Sequence, residues 1–281
     1  MTTISANVVC DSVNPYGKRI VTLELRYPRW IHAEFMTHRV FSRNASSSRA
    51  VPVERMIAEV TDDPAVPLHW GKNQKGMQAR EEADARVDLF YGGEIAKTRG
   101  EAWLMARDMA VDAARAFAKA GYHKQIVNRL LEPFAHISVV VTATEWDNFF
   151  ALRCHPDAEP HIQMLARAMQ RAMASSEPRE LNFGEWHLPY FKSEEGVRLL
   201  VKDSRLVSAA RCARVSYLNH DGSKADVESD LKLAYQLMKD GHWSPFEHQA
   251  TPAGKKSDPA LNANFIGWAQ SRQVLEAEGR K

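Results

Sequence analysis

The sequence predicts an α+β fold with a helical majority. Two β-branched or alternating runs mark strands, and several runs rich in Ala, Leu, Met and Glu, with apolar residues at helical spacing, mark helices. A chain of 281 residues with 44% hydrophobic and 26% charged content can bury one large core or two modest ones.

The first strand is "GKRIVTLELRYP", where Ile20, Thr22 and Glu24 alternate with Val21, Leu23 and Leu25. That is the pattern of a half-buried strand ending at Pro28. "RWIHAEFMTHRVFS" reads as a short helix that delivers residues 37–52 to a strand end. From Glu81 to about Leu131, Ala, Glu, Arg, Met and Leu dominate, which predicts one or two long helices broken near Gly92-Gly93. "AHISVVVTATEW" is β-branched and predicts a buried strand. "DAEPHIQMLARAMQRAM" puts Ile162, Leu165, Ala166, Met169 and Met173 on one helix face, a core stripe rather than a cofactor box. "ADVESDLKLAYQLMKDGH" predicts a second amphipathic helix with Leu233, Leu237 and Met238 inward and Gly241 as its stop. After Thr251 the chain is loop-like until "FIGWAQSRQVL", which resumes regular structure.

Charge and cysteine content exclude several classes. With 37 basic and 35 acidic residues the net charge is +2, too small for a polycationic surface against duplex nucleic acid, so any anion site must be local. Cys10, Cys154 and Cys212 form no CxxC pair, which implies a reducing compartment without a disulfide framework. "MTTISANVVCDSV" lacks the basic and apolar regions of a signal peptide, and no apolar run approaches the roughly 20 residues that span a bilayer. A cytoplasmic protein is expected.

The chemistry concentrates in three polar stretches. "THRVFSRNASSSRAVP", residues 37–52, packs Arg39, Arg43 and Arg49 around Ser46, Ser47 and Ser48. Guanidinium forks, hydroxyls and loop amides together suit a phosphate, while a solvated Ser/Arg loop is the plainer reading. His38 alone is a structural histidine as readily as a ligand. In "NFFALRCHPDAEPHI", Arg153 directly follows an apolar run, where a buried cation needs an anionic partner. "GHWSPFEHQATP" gathers His242, Ser244, Glu247 and His248 past a helix end. Neither these histidines nor Cys154, His155 and His161 have a metal-ligand spacing, so no metal is expected. GxGxxG, GxxxxGK[ST] and GxSxG motifs are all absent.

Taken together these stretches resemble the flavin-dependent thymidylate synthases. The family signature runs Arg-His-Arg, seven residues, a serine, a glycine and an arginine; here it reads "THRVFSRNASSSR". "VTLELRYPRWIHAEFM" is similar to the family's strand, proline and helix lead-in, "NRLLEP" to its Ala-Arg-x-x-Leu-Pro, and "ISVVVTATEWDNFFALR" to the segment ending in its Leu-Arg. "SAARCARVSY" and "LKLAYQLMKDGHWSPFEH" resemble the family's N-terminal segment, yet they lie at 208–248, after the signature. The resemblance therefore implies a circularly permuted order. Such a rearrangement is tolerated where termini lie close together at the surface. The implied architecture is one helix-rich domain around a central, mostly antiparallel sheet. Residues 1–190 would hold the signature and central region, 191–250 the displaced segment and 251–281 a tail.

The resemblance further implies FAD, NADPH and 5,10-methylenetetrahydrofolate as cofactors, dUMP as substrate, dTMP as product, and a homotetramer with shared active sites. Position by position, Ser47, Ser48, Arg49, Arg129 and Arg153 would bind the nucleotide, with Ser47 and Arg153 closest to the chemistry. Glu34 stands in the same substrate region, where the family has glutamine. His38, Arg39, Asn44, Asn148, Ser216, His242, Ser244 and Glu247 would face the flavin. No cysteine nucleophile is needed, because hydride is the attacking group and the cofactors carry the organic chemistry. Thr37 replaces the signature's first arginine, Ser48 its glycine, and Ala45 an acidic residue. These departures leave dCMP as an alternative substrate, hydroxymethyl as an alternative product, and a non-catalytic nucleotide-binding module as an alternative class. The tail carries two readings: Phe265 and Trp268 pack against the core, or Arg272 reaches the site to replace the cation lost at Thr37 and offset Glu34.

Overall fold

The computed structural model describes residues 3–89, 96–191, 200–215, 223, 226–255 and 257–279. At its centre is a five-stranded sheet of β1 (Ser5–Val13), β2 (Arg19–Pro28), β3 (Ser42–Ala45), β4 (His136–Ala143) and β5 (Arg179–Glu180), in the order β3-β4-β2-β1-β5. Every neighbouring pair is antiparallel except β1 with β5. The α+β class, the helical majority and the mostly antiparallel sheet are as the sequence implies.

Strand β2 corrects one expectation. It is central and buried on both faces, with Ile20, Thr22, Leu23, Leu25 and Tyr27 fully buried. Val21, Leu23, Leu25 and Tyr27 pack on α6 (Pro160–Ala174) through Ile162, Leu165, Ala166 and Met169. Ile20 on the other face meets Leu181, Ala250, Phe265 and Trp268. The alternating polar residues survive burial because each has a partner: Thr22 bonds Thr142, and the Glu24 carboxylate accepts from the Tyr190 hydroxyl. Strand β1 has no counterpart among the expected elements. Its "SANVVCDSV" is polar, only partly buried, and interrupted by a bulge between Val8 and Cys10.

The long helical region also begins later than its composition suggests. Short α1 (His32–Met36) and α2 (Val53–Asp62) are followed by an irregular excursion, and helix α3 spans only Arg99–Lys119. Its start is fixed by a capping box between Thr98 and Glu101. Residues 81–89 have good helix formers, but they pair with the outgoing limb instead: Ala83 N–H donates to the Trp70 carbonyl, and Glu82 takes Arg99. Gly92 and Gly93 lie outside the described residues. Helices α4 (Lys124–Val127) and α5 (Asp147–Arg153) flank β4.

Helices α7 (Val201–Arg214) and α8 (Val227–Lys239) pack as a pair, with Leu206, Ala209, Ala210 and Ala234 against Phe246 and Leu275. Leu233, Leu237 and Met238 are partly buried around this cluster, and α8 ends before Gly241, whose φ of 74° suits the left-handed stop. The tail forms a two-stranded ribbon, β6 (Ala250–Pro252) and β7 (Trp268–Gln270), and helix α9 (Ser271–Gly279). Trp268 and Phe265 are buried in the core, so the packing reading of the tail holds. No helix among the described residues is long and apolar enough to cross a membrane.

Candidate active site

The polar stretch 37–49 lies along edge strand β3, so the register of β3 on β4 decides which groups it can meet. Ser42 pairs with Thr142 and Ala45 with Val139, and Ser46 continues the pairing by donating its N–H to the Ser138 carbonyl. Residues before Ser42 therefore sit at the C-terminal end of β4, and residues after Ser46 at its N-terminal end. Ser42 and Ser46 themselves are about 13 Å apart at ~3.3 Å per residue.

Arg153 organises the first end. As the last residue of α5 it points back to α1, where its Nε donates to His38 Nε2 (2.9 Å) and its Nη1 to Glu34 Oε2 (3.2 Å). Nη2 reaches Thr37 Oγ1 at 3.3 Å. The anionic partner expected for this cation is thus Glu34. Burial and then the nearby Glu159 push the Glu34 carboxyl up, against the opposing pull of Arg153. Burial, followed by Arg153 and Arg43, pushes His38 down, consistent with a neutral ring whose Nε2 accepts. Arg153 lines two clefts. One, of about 400 Å³, also takes in Arg39, Asn148 and Glu145; the other, about 730 Å³, runs between Glu34, Glu159 and Asp157 and the excursion residues His69, Met77 and Arg80.

At the opposite end, Glu132 gathers the groups. Ser48 donates its hydroxyl to Glu132 Oε1 (2.6 Å), and Arg29 and Arg129 approach the same carboxylate at 3.4 and 3.5 Å. The backbone amides of Ser47, Ser48 and Arg49 have no acceptor among the described residues, and the Arg49 side chain is exposed without an ion pair. Glu132 is a site residue that sequence reasoning missed, although it lies inside the quoted "NRLLEP".

Midway along β3, Asn44 meets the residues that follow α8. Its side chain is beside Ser244 and His248, so the 208–248 region does come against the signature stretch. Glu247 accepts from Arg272, which also bonds Glu276. Within the chain, Arg272 is held by these two carboxylates, and the carboxylate of Glu34 is met by Arg153 instead. His242 caps the turn after α8 by donating its backbone N–H to Leu237. Ser216 lies outside the described residues. Of the expected residues, then, Arg153, Glu34 and His38 converge. Arg39 and Asn148 share their cleft. Ser47, Ser48, Arg49 and Arg129 assemble elsewhere.

None of the thiols is suited to nucleophilic attack. Burial raises Cys10 to about 11 and pushes Cys154 and Cys212 up as well.

The family model described as thymidylate synthase complementing protein matches residues 18–179, more than half of the chain. No curated protein sequence matches. Two solved structures of the UMP/dUMP methylase PolB from Streptomyces cacaoi, one with 5-Br dUMP and one with 5-Br UMP, are similar at 16% identity. They cover 62% of this chain and 91% and 90% of their own, with TM-scores of 0.44 and 0.47.

Proposed function

Because the chain belongs to the thymidylate synthase complementing protein family of flavin-dependent enzymes, we propose that it methylates C5 of dUMP to give dTMP, taking the one-carbon unit from methylenetetrahydrofolate. FAD, reduced by NADPH, would supply the hydride that completes the methyl group. The observation that carries this reading is Arg153: a positioned guanidinium that faces two clefts at once, in a chain whose thiols are pushed up by burial.

The residues present fit both anionic ligands. Three consecutive amides and Arg49, without acceptors or an ion pair among the described residues, suit the nucleotide phosphate, as does Arg129 next to Glu132. Ser47 offers a hydroxyl there, whereas Ser48 contributes its amide, since its hydroxyl is engaged by Glu132. Arg153 would donate to a uracil carbonyl, where negative charge develops during attack. On the flavin side Arg39, which makes no ion pair with the described residues, suits a diphosphate. His38 and Asn148 line the same cleft as Arg39, while Asn44, His242, Ser244 and Glu247 would meet the flavin from outside it.

Arg153 lies at one end of the β3–β4 pairing, and Arg49 and Arg129 at the other. This division favours active sites shared between subunits of a homotetramer, with edge strand β3 and its flanks at the shared surface. The contact of 208–248 with Asn44 supports the permuted order, in which residues 191–250 do the work of the family's N-terminal segment. Glu34 favours one second reading. A carboxylate beside the arginine accepts well from the exocyclic amine of cytosine, which would make dCMP the substrate.

Titration with FAD, followed by flavin fluorescence, tests the enzyme reading against a nucleotide-binding module. Saturable binding is expected, weakened by Arg39→Ala by roughly tenfold to a hundredfold, the loss of a charge-assisted contact. Absence of flavin binding by the full chain would defeat the proposal.

A further inference from the structure

A continuous hydrogen-bonded chain crosses the sheet and ends on Asn44. We infer that this chain sets the Asn44 amide in one orientation, so that its carbonyl oxygen is presented to the ligand as an acceptor for a ring imide N–H. The inference rests on the reading above only in taking Asn44 to face a bound flavin or pyrimidine.

The links are all buried. His248 Nδ1 is 2.8 Å from Thr142 Oγ1, which is 2.7 Å from Thr22 Oγ1, its register partner on β2. Thr22 Oγ1 is 2.8 Å from His187 Nε2, and His187 Nδ1 is 2.9 Å from Ser12 Oγ. Thr22, Thr142, His187 and His248 are fully buried, and burial holds both imidazoles far below their ordinary range, at about 3. Each ring is neutral, so each has one donor and one acceptor nitrogen.

The direction follows from the Asn44 end. The amide atom turned toward His248 Nε2 lies 3.1 Å from it and also 3.1 Å from the carbonyl oxygens of Arg43 and Ser244. An oxygen there would face two carbonyl oxygens, which can only accept; an amide nitrogen can donate to them. The NH₂ group therefore occupies that position, and His248 Nε2 must accept. Its proton is then on Nδ1 and is donated to Thr142. Thr142 donates to Thr22, Thr22 donates to His187 Nε2, and His187 Nδ1–H donates to Ser12. Cys10 Sγ, 3.4 Å from His187 Nδ1, is a second acceptor for that N–H. With the Asn44 end fixed, reversing any one link would leave a buried donor facing a donor or an acceptor facing an acceptor. The Asn44 oxygen is left on the Ser244 side, 3.4 Å from that hydroxyl, where it is accessible. Thr142, Thr22, His187 and His248 are positioning residues in this scheme.

Nitrogen-15 NMR of the full chain, labelled at histidine and without added flavin, reads the scheme directly. Both His187 and His248 should be neutral and protonated on Nδ1 at neutral pH; an Nε2-protonated His248 overturns the inference. Asn44→Asp can only accept at that position, so His248 should switch to a proton on Nε2. An unchanged tautomer in that variant would show that the two are not coupled. Thr142→Val interrupts the chain, and Thr142→Ser restores it. Affinity for FAD or for dUMP should fall roughly threefold to tenfold in the first and return in the second, the ligand that responds being the one Asn44 reads. Unchanged affinity for both in Thr142→Val and in Asn44→Ala overturns the ligand half of the inference. If the wild-type chain bound neither ligand, the enzymatic reading would fail instead, and the tautomers would still decide whether the chain exists.

Discussion

Arg153→Ala should lower turnover of dUMP by about 10²–10³-fold, the scale of removing one preorganised donor from developing negative charge. The side chain is about one-fifth exposed at the junction of the two clefts, so its loss should leave the fold intact. Arg153→Lys should recover only part of the rate. A lysine keeps the charge but cannot hold His38, Glu34 and Thr37 at once as the planar fork does. Glu34→Gln provides the converse, because it releases the guanidinium from its carboxylate and should tighten binding of an anionic nucleotide. Steady-state kinetics with melting curves checks all three; a wild-type rate in Arg153→Ala would mean that the residue has another role.

The largest effect on stability is expected at Asp230, on α8. Its carboxylate is fully buried between Arg211, whose Nε donates at 2.8 Å, and Arg214, both on α7. Asp230→Ala removes the countercharge from two nearly buried guanidinium groups, which costs about 3–5 kcal/mol. Arg211 would keep its bond to the Tyr190 carbonyl, but a neutral acceptor does not replace a carboxylate. Asp230→Asn preserves the shape and loses the charge, so it should fall much nearer to Asp230→Ala than to the parent. Urea unfolding reads the loss as a lower midpoint, and a shift below about 1 kcal/mol would show that the pair is solvated. Since α7 and α8 pack on Phe246, between the Ser244 and His248 that meet Asn44, loss of this pair should also weaken the proposed flavin binding.

What the sequence makes legible here is what depends on local pattern. The β-branched run of β4, the apolar stripe of α6 and the stop at Gly241 are each determined within their own windows, and the structure has them where periodicity puts them. The half-buried reading of β2 fails for a non-local reason: its second face is covered by Leu181, Phe265 and Trp268, which are remote in sequence. Residues 81–89 fail similarly, because bridges from 81–83 to 70–72 and from Val87 to Lys97 override their helix propensity. At the site, the resemblance supplied residue types, but not partners. Glu34 with Arg153, Glu132 with Ser48 and Glu247 with Arg272 are pairs made by tertiary folding, and none has a signature spacing. Thr22 and Thr142 did leave a trace, as hydroxyl residues flanked by aliphatic neighbours within their strands. Their meaning emerges only when the register sets them opposite each other.

The proposed activity is tested most directly by the product formed from dUMP when the purified chain is incubated with FAD, NADPH and methylenetetrahydrofolate. Mass spectrometry of the nucleotide pool should show dTMP, its formation dependent on flavin and abolished or strongly reduced by Arg153→Ala. Unchanged dUMP despite bound flavin, a hydroxymethylated nucleotide, or conversion of dCMP in preference to dUMP would contradict dUMP methylation.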